Sequence, residues 1–87
     1  MAGKVEFFYR DFCPFCSRAE RLLESKGIDF ESINVWEQTD RQPEMVKRSG
    51  GKTSVPQVFV NGDYLGDCDA LFRLEMQGKL DQALGLA

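Results

Sequence analysis

VEFFYRDFCPFCSRAERLLESKG, from Val5 to Gly27, changes period near its middle. Val5 to Tyr9 is a short apolar run of β-forming residues and predicts a strand. From Pro14 onward, Phe15, Ala19, Leu22 and Leu23 recur at i, i+4, i+7 and i+8, with Arg18, Glu20, Arg21 and Glu24 opposite them. That is the pattern of an amphipathic helix stopped by Gly27. A strand running into a helix places Cys13 at the N-cap, Pro14 at the first helical position and Cys16 at the third. The two sulfurs then lie within one turn. Proline suits its place because the first helical N–H has no intrahelical acceptor and the proline φ is already helical.

Working outward, Ile28 to Val35 predicts a second strand, parallel to the first through a right-handed crossover. Asp40 to Ser49 predicts a short, mostly exposed helix with Met45 and Val46 on its apolar face and Gly50-Gly51 as its end. Val55 to Val60 and Asp63 to Leu65, joined by Asn61-Gly62, predict a β-hairpin with a type I′ turn. A last helix opens at Gly66 to Asp69, turns Ala70, Leu71, Leu74 and Met76 inward, and closes at Gly78. Leu80, Leu84 and Leu86 follow it. The order β, α, β, α, β, β, α predicts an α/β domain, one unit over residues 1–87, with a central mixed four-stranded sheet flanked by three or more helices.

Composition narrows the function. With 87 residues and 43% hydrophobic content, one small core is affordable without metal or disulfide support. Eleven basic against 14 acidic residues, net −3, provide no electrostatic drive toward nucleic acid or an anionic membrane surface. The N-terminal residues carry no long apolar segment and no window reaches the roughly 18 apolar residues of a membrane span, so a cytoplasmic protein is expected. Three cysteines, an odd number, also fit a reducing compartment better than a secreted disulfide scaffold.

Three readings of Cys13 and Cys16 compete. A structural zinc site needs four ligands, whereas the chain has no histidine and one further cysteine, Cys68. A static disulfide suits the compartment poorly. A reactive dithiol is favoured: the unsatisfied N–H groups and positive dipole end of the helix face the Cys13 sulfur and stabilise its thiolate. Thiols in such sites fall from about 8.5 to roughly 3.5–7.5, and Arg10 adds positive potential. Cys16, inside the helix among apolar neighbours, fits the resolving role.

Cys13-Pro14-Phe15-Cys16, Ser54-Val55-Pro56-Gln57-Val58-Phe59 and Leu65-Gly66-Asp67-Cys68-Asp69 together resemble the three motifs of a dithiol glutaredoxin, closest to the small bacterial type. The resemblance spans nearly the whole chain. It implies a thioredoxin-like fold with Pro56 in cis beside the dithiol. It also implies glutathione-dependent reduction of protein disulfides and glutathione mixed disulfides, with catalytic Cys13 and Cys16. Glutathione would be a co-substrate, with no metal and no tightly bound cofactor. The implied partners are glutathione and disulfide-bonded or glutathionylated proteins, met by a monomer. For glutathione it implies an aromatic wall at Phe15, backbone pairing at Val55 beside Pro56, a glycine-carboxylate end at Arg10 and Gln42, and a γ-glutamyl end at Cys68 and Asp69.

Read without the resemblance, Arg10 is a surface cation, Gln42 a solvated helix residue, Pro56 the start of an edge strand, Asp69 a helix-capping acid and Cys68 a small buried hydrophobe. Trp36 has no assigned role. Phe15 stands where the family more often has tyrosine, the Gly50 to Thr53 loop is one residue longer than usual, and Asp67 replaces a common glycine. Two other functions remain in view. One is an electron donor reduced by a flavoprotein thioredoxin reductase, which Arg10 and the Gly66 to Asp69 segment argue against. The other is a dimer holding an iron–sulfur cluster, which the Pro14-stiffened dithiol disfavours because it closes on itself.

Overall fold

The computed structural model describes residues 3–86, so residues 1, 2 and 87 of the expected 1–87 domain lie outside the described residues. Four strands, β1 (Val5–Tyr9), β2 (Glu31–Asn34), β3 (Gln57–Val60) and β4 (Asp63–Gly66), form one sheet in the order β2-β1-β3-β4. β1 pairs parallel with β2 and antiparallel with β3, and β3 pairs antiparallel with β4. The helices are α1 (Pro14–Ser25), α2 (Arg41–Arg48), α3 (Cys68–Met76) and α4 (Leu80–Ala83). This is the expected mixed sheet, with one more short helix than the sequence order named.

Strand alternation distributes the side chains. Val5, Phe7, Val58 and Val60 face a core shared with Ala19 and Leu23 of α1, Leu71 of α3 and Leu80 of α4. Phe8, Phe59, Ile33 and Val35 face the other way, onto Met45 of α2. Because α2 covers that second face only in part, it also accommodates a carboxylate. Glu6, whose side chain is 8% exposed, receives two hydrogen bonds from Arg48, at 2.7 and 3.2 Å, and has Arg41 at 3.8 Å. The Arg48 guanidinium lies 4.3 Å from the Phe59 ring centroid. Its hydrogen bonds hold the Glu6 carboxyl below the usual carboxylate range against the opposing effect of burial.

The β3–β4 turn has Asn61 at φ 53° and Gly62 at φ 86°, the two positive angles that a type I′ turn requires. Gly66 leaves β4 at φ 150°, and a Cβ there would collide with the Ala70 side chain, so only glycine allows this tight entry into α3. Lys26, just past α1, bridges Glu75 of α3 at 2.6 Å and Asp81 of α4 at 2.7 Å.

Several expectations need correction. β2 begins at Glu31, not Ile28, and β3 at Gln57, because cis-Pro56 interrupts the approach. Met76 is 88% exposed. It sits at the last turn of α3, beyond the reach of the core. Phe15 is also turned out, at 55% exposure, since Cys16, Ala19 and Leu23 occupy the inward stripe of α1.

Candidate active site: a dithiol between two clefts

Cys13 is the N-cap of α1, in extended conformation, with Pro14 at the first helical position. Its sulfur is bonded to that of Cys16, the two Cα atoms lying 5.1 Å apart, and accepts a hydrogen bond from the Cys16 backbone N–H at 3.1 Å. That N–H is one of the helix's orphan donors, so the site holds a ready partner for an anionic sulfur once the bond is reduced. Cys13 and Cys16 are both largely buried, at 7% and 3% exposure, so the difference in access between them is smaller than their assigned roles suggested. Cys68 is a third, free and buried thiol. Burial pushes it up, Asp69 and Asp67 push it the same way, and Arg18 opposes them.

The loop before Cys13 is built around Arg10. Its Nη1 donates to the carbonyls of Asp11 at 2.9 Å and Phe12 at 3.1 Å, and its guanidinium lies 5.2 Å from the Trp36 ring centroid. Phe12 takes φ 55°, a region in which a side chain meets the following carbonyl at a cost of about 1–2 kcal/mol. The residue is 89% exposed, with its ring 6.5 Å from that of Trp36.

The Val55–Pro56 bond is cis, as the resemblance implied. Val55 separates two adjoining cavities. The one of about 360 Å3 is lined by Arg10, Trp36, Gln42, Thr53 and Ser54 as well as Val55. The other, about 200 Å3, is walled by Phe15, Pro56, Cys68, Asp67 and Asp69. Of the positions expected to meet glutathione, Arg10, Gln42 and Val55 line the first cavity and Phe15, Val55, Pro56, Cys68 and Asp69 the second. A third cavity, about 530 Å3, opens on Cys13 and Cys16 from the side of Tyr9, Phe12, Ser17 and Glu20.

Trp36 had no role in the sequence reading, and Asp67 stood only as a replacement for a common glycine. Trp36 follows β2 with no motif around it, and only the meeting of β1 and β2 brings it to Arg10. Asp67 is the N-cap of α3, accepting from the Ala70 N–H at 3.0 Å, which corrects the reading of Asp69 as the capping acid. An aspartate immediately before the first helical residue was the available signal. The cap occupies one donor of this helix end and leaves the amides of Cys68 and Asp69 at its first two positions. Among the described residues no group of three or more His, Cys, Asp or Glu side chains is placed to hold a metal ion.

A mixed four-stranded sheet carrying a Cys-x-x-Cys disulfide at a helix start, with a cis-proline on the neighbouring loop, defines a thiol–disulfide oxidoreductase of the thioredoxin fold. The glutaredoxin family model matches residues 5–65. Glutaredoxin 3 of Escherichia coli strain K12 is 41% identical over 82 residues, covering 94% of this chain and 98% of the relative. Glutaredoxin 1 of Rickettsia conorii is 45% identical over 73 residues, 83% of this chain and 72% of that one. Among solved structures, a buckwheat glutaredoxin–glutathione complex superposes with a TM-score of 0.85 at 27% identity, covering 95% of this chain and 77% of that one. The chain belongs to the glutaredoxin family. It is a glutathione-dependent thiol–disulfide oxidoreductase.

Proposed function

We propose that Cys13 is the nucleophile and Cys16 the resolving thiol, and that glutathione lies across Val55 with its glycine carboxylate toward Arg10 and Gln42 and its γ-glutamyl end toward Cys68 and Asp69. The observation that carries this reading is the distribution of charge over the two cavities that share Ser54 and Val55, the Arg10 guanidinium lining one and the carboxylates of Asp67 and Asp69, at the start of α3 with its first amides, lining the other. A tripeptide with a carboxylate at one end and both an ammonium and a carboxylate at the other is its complement. The glutathione complex of the buckwheat relative supports the same ligand class.

In the monothiol cycle the Cys13 thiolate attacks the glutathione sulfur of a mixed disulfide. The Cys13–glutathione bond forms, the substrate's sulfur–sulfur bond breaks, and the released thiolate takes a proton. A second glutathione thiolate then attacks the bound glutathione sulfur, releasing oxidised glutathione and restoring the Cys13 thiolate. In the dithiol cycle Cys13 opens a protein disulfide and Cys16 attacks the Cys13 sulfur, releasing the reduced protein. Two glutathiones reduce the resulting Cys13–Cys16 bond. Glutathione acts as a dissociable co-substrate, with no tightly bound cofactor.

We further propose one functional domain over residues 1–87, acting as a cytoplasmic monomer. A single sheet bordering both core clusters supports the first point. Among the described residues no helix is long and apolar enough to cross a membrane.

The test compares kinetics with folding. Losing a charge-assisted contact in a solvent-accessible groove should raise the KM for glutathione about 5- to 10-fold in Arg10→Glu and about threefold in Asp69→Ala. Because neither side chain supports the core, melting temperatures should stay within about 3 °C. Unchanged KM values in both variants would place glutathione elsewhere. Turnover with thioredoxin reductase but none with glutathione would replace the reading with the alternative electron donor.

A further inference from the structure

We propose that Phe12 and the cleft beside it form a docking subsite for the polypeptide of a protein substrate, taking an apolar side chain next to the substrate's reacting cysteine. The inference rests on Cys13 being the nucleophile. A macromolecule whose sulfur reaches Cys13 must lay its flanking residues on the surface around that sulfur. Phe12 is the adjoining residue, and it is 89% exposed.

That exposure is built in. Phe12 is held at φ 55° by Arg10, which donates to its carbonyl and to that of Asp11, while the Trp36 ring stands 6.5 Å from its own. A bulky residue is a poor choice for this backbone region, where glycine or asparagine is more easily accommodated. The backbone conformation therefore does not favour phenylalanine here, and beyond its Trp36 neighbour the residue stays open to solvent and makes no contribution to the buried core. A surface contact with a partner supplies the reason.

The cleft of about 530 Å3 lies on the flank of the dithiol away from the proposed glutathione groove, sharing only Arg10 with it. Its walls combine the apolar Tyr9 and Phe12 with two carboxylates, Asp11 and Glu20, against the single guanidinium of Arg10. An apolar or basic residue fits such a wall and an acidic one is repelled. Because glutathione does not reach this flank in the proposed pose, Phe12 should discriminate among protein substrates without affecting small ones.

The experiment uses cysteine peptides carried as mixed disulfides with mercaptoethanol, so the glutathione groove is not required for substrate recognition. Single-turnover reduction by the prereduced protein is followed for peptides with Leu, Ser or Glu beside the cysteine. The wild type should reduce the Leu peptide about tenfold faster than the Glu peptide at subsaturating concentration. Phe12→Asn should bring the ratio within about twofold, with unchanged or higher melting temperature and unchanged turnover of a small glutathione mixed disulfide. Phe12→Leu should retain most of the preference. A wild type indifferent to the flanking residue, or a folded Phe12→Asn protein that keeps the full preference, would overturn the proposal. Failure of the glutathione groove alone would appear as lost glutathione dependence with the peptide preference intact.

Discussion

Cys13→Ser is expected to reduce turnover of a glutathione mixed disulfide by more than about 10³-fold, while Cys16→Ser keeps it within about twofold of wild type or raises it. A serine hydroxyl at the N-cap stays protonated at neutral pH, so the helix end has no anion to stabilise and the reaction no nucleophile. Neither remaining thiol substitutes. Cys16 is the third residue of α1, past the N-cap position from which the Cys13 sulfur accepts a helix N–H, and Cys68 is buried and pushed toward its protonated form. Cys16→Ser spares the monothiol cycle because that cycle never uses Cys16, and it removes the side reaction in which Cys16 displaces glutathione from Cys13. Reduction of protein disulfides that need the dithiol cycle should fall in both variants. Steady-state rates with the two substrate classes, side by side, check this.

The largest effect on stability is expected from Arg48→Ala, which removes both hydrogen bonds to a nearly buried Glu6 and the guanidinium over Phe59. Stranding a carboxylate in this way costs about 3 kcal/mol, or roughly 12–24 °C in melting temperature for a domain of this size. Arg41, at 3.8 Å, is too far to replace the lost bonds. The pH dependence carries a second signature. Since the folded Glu6 carboxyl lies below its ordinary value, its stabilisation is complete above the ordinary carboxylate pKa of about 4.3 and is lost as pH falls through the folded value. Glu44, lowered chiefly by Arg41 and also by Arg48, acts in the same direction. Thermal melts should therefore decline more steeply below about pH 4 in the wild type than in Arg48→Ala. A variant with wild-type stability and an identical acid profile would show that the pair contributes nothing.

What was legible in the sequence were the local rules with strong chemistry behind them. Proline after Cys13 marked the start of α1, and Asn61-Gly62 marked the hairpin with its two positive φ angles. Harder to read were choices decided by packing between elements. Periodicity placed Phe15 inward, but Cys16 fills that stripe and Phe15 instead walls the cavity shared with Pro56 and Cys68. Glu6 in the middle of a strand gave no sign of its partners, because Arg41 and Arg48 lie some forty residues away and meet it only when α2 docks on the sheet. Asp67 read only as a replacement for a common glycine. Its hydrogen bond to the Ala70 N–H shows that it caps α3.

The central claim, that Cys13 carries glutathione during turnover, is tested most directly by trapping the intermediate. Cys16→Ser protein is mixed with a glutathione mixed disulfide in the absence of free glutathione, digested without reduction and mapped by mass spectrometry. The account predicts one glutathione on the peptide containing Cys13, formed stoichiometrically and removed when glutathione is added. An adduct on Cys68, or none on Cys13 under conditions where the substrate is consumed, would contradict it.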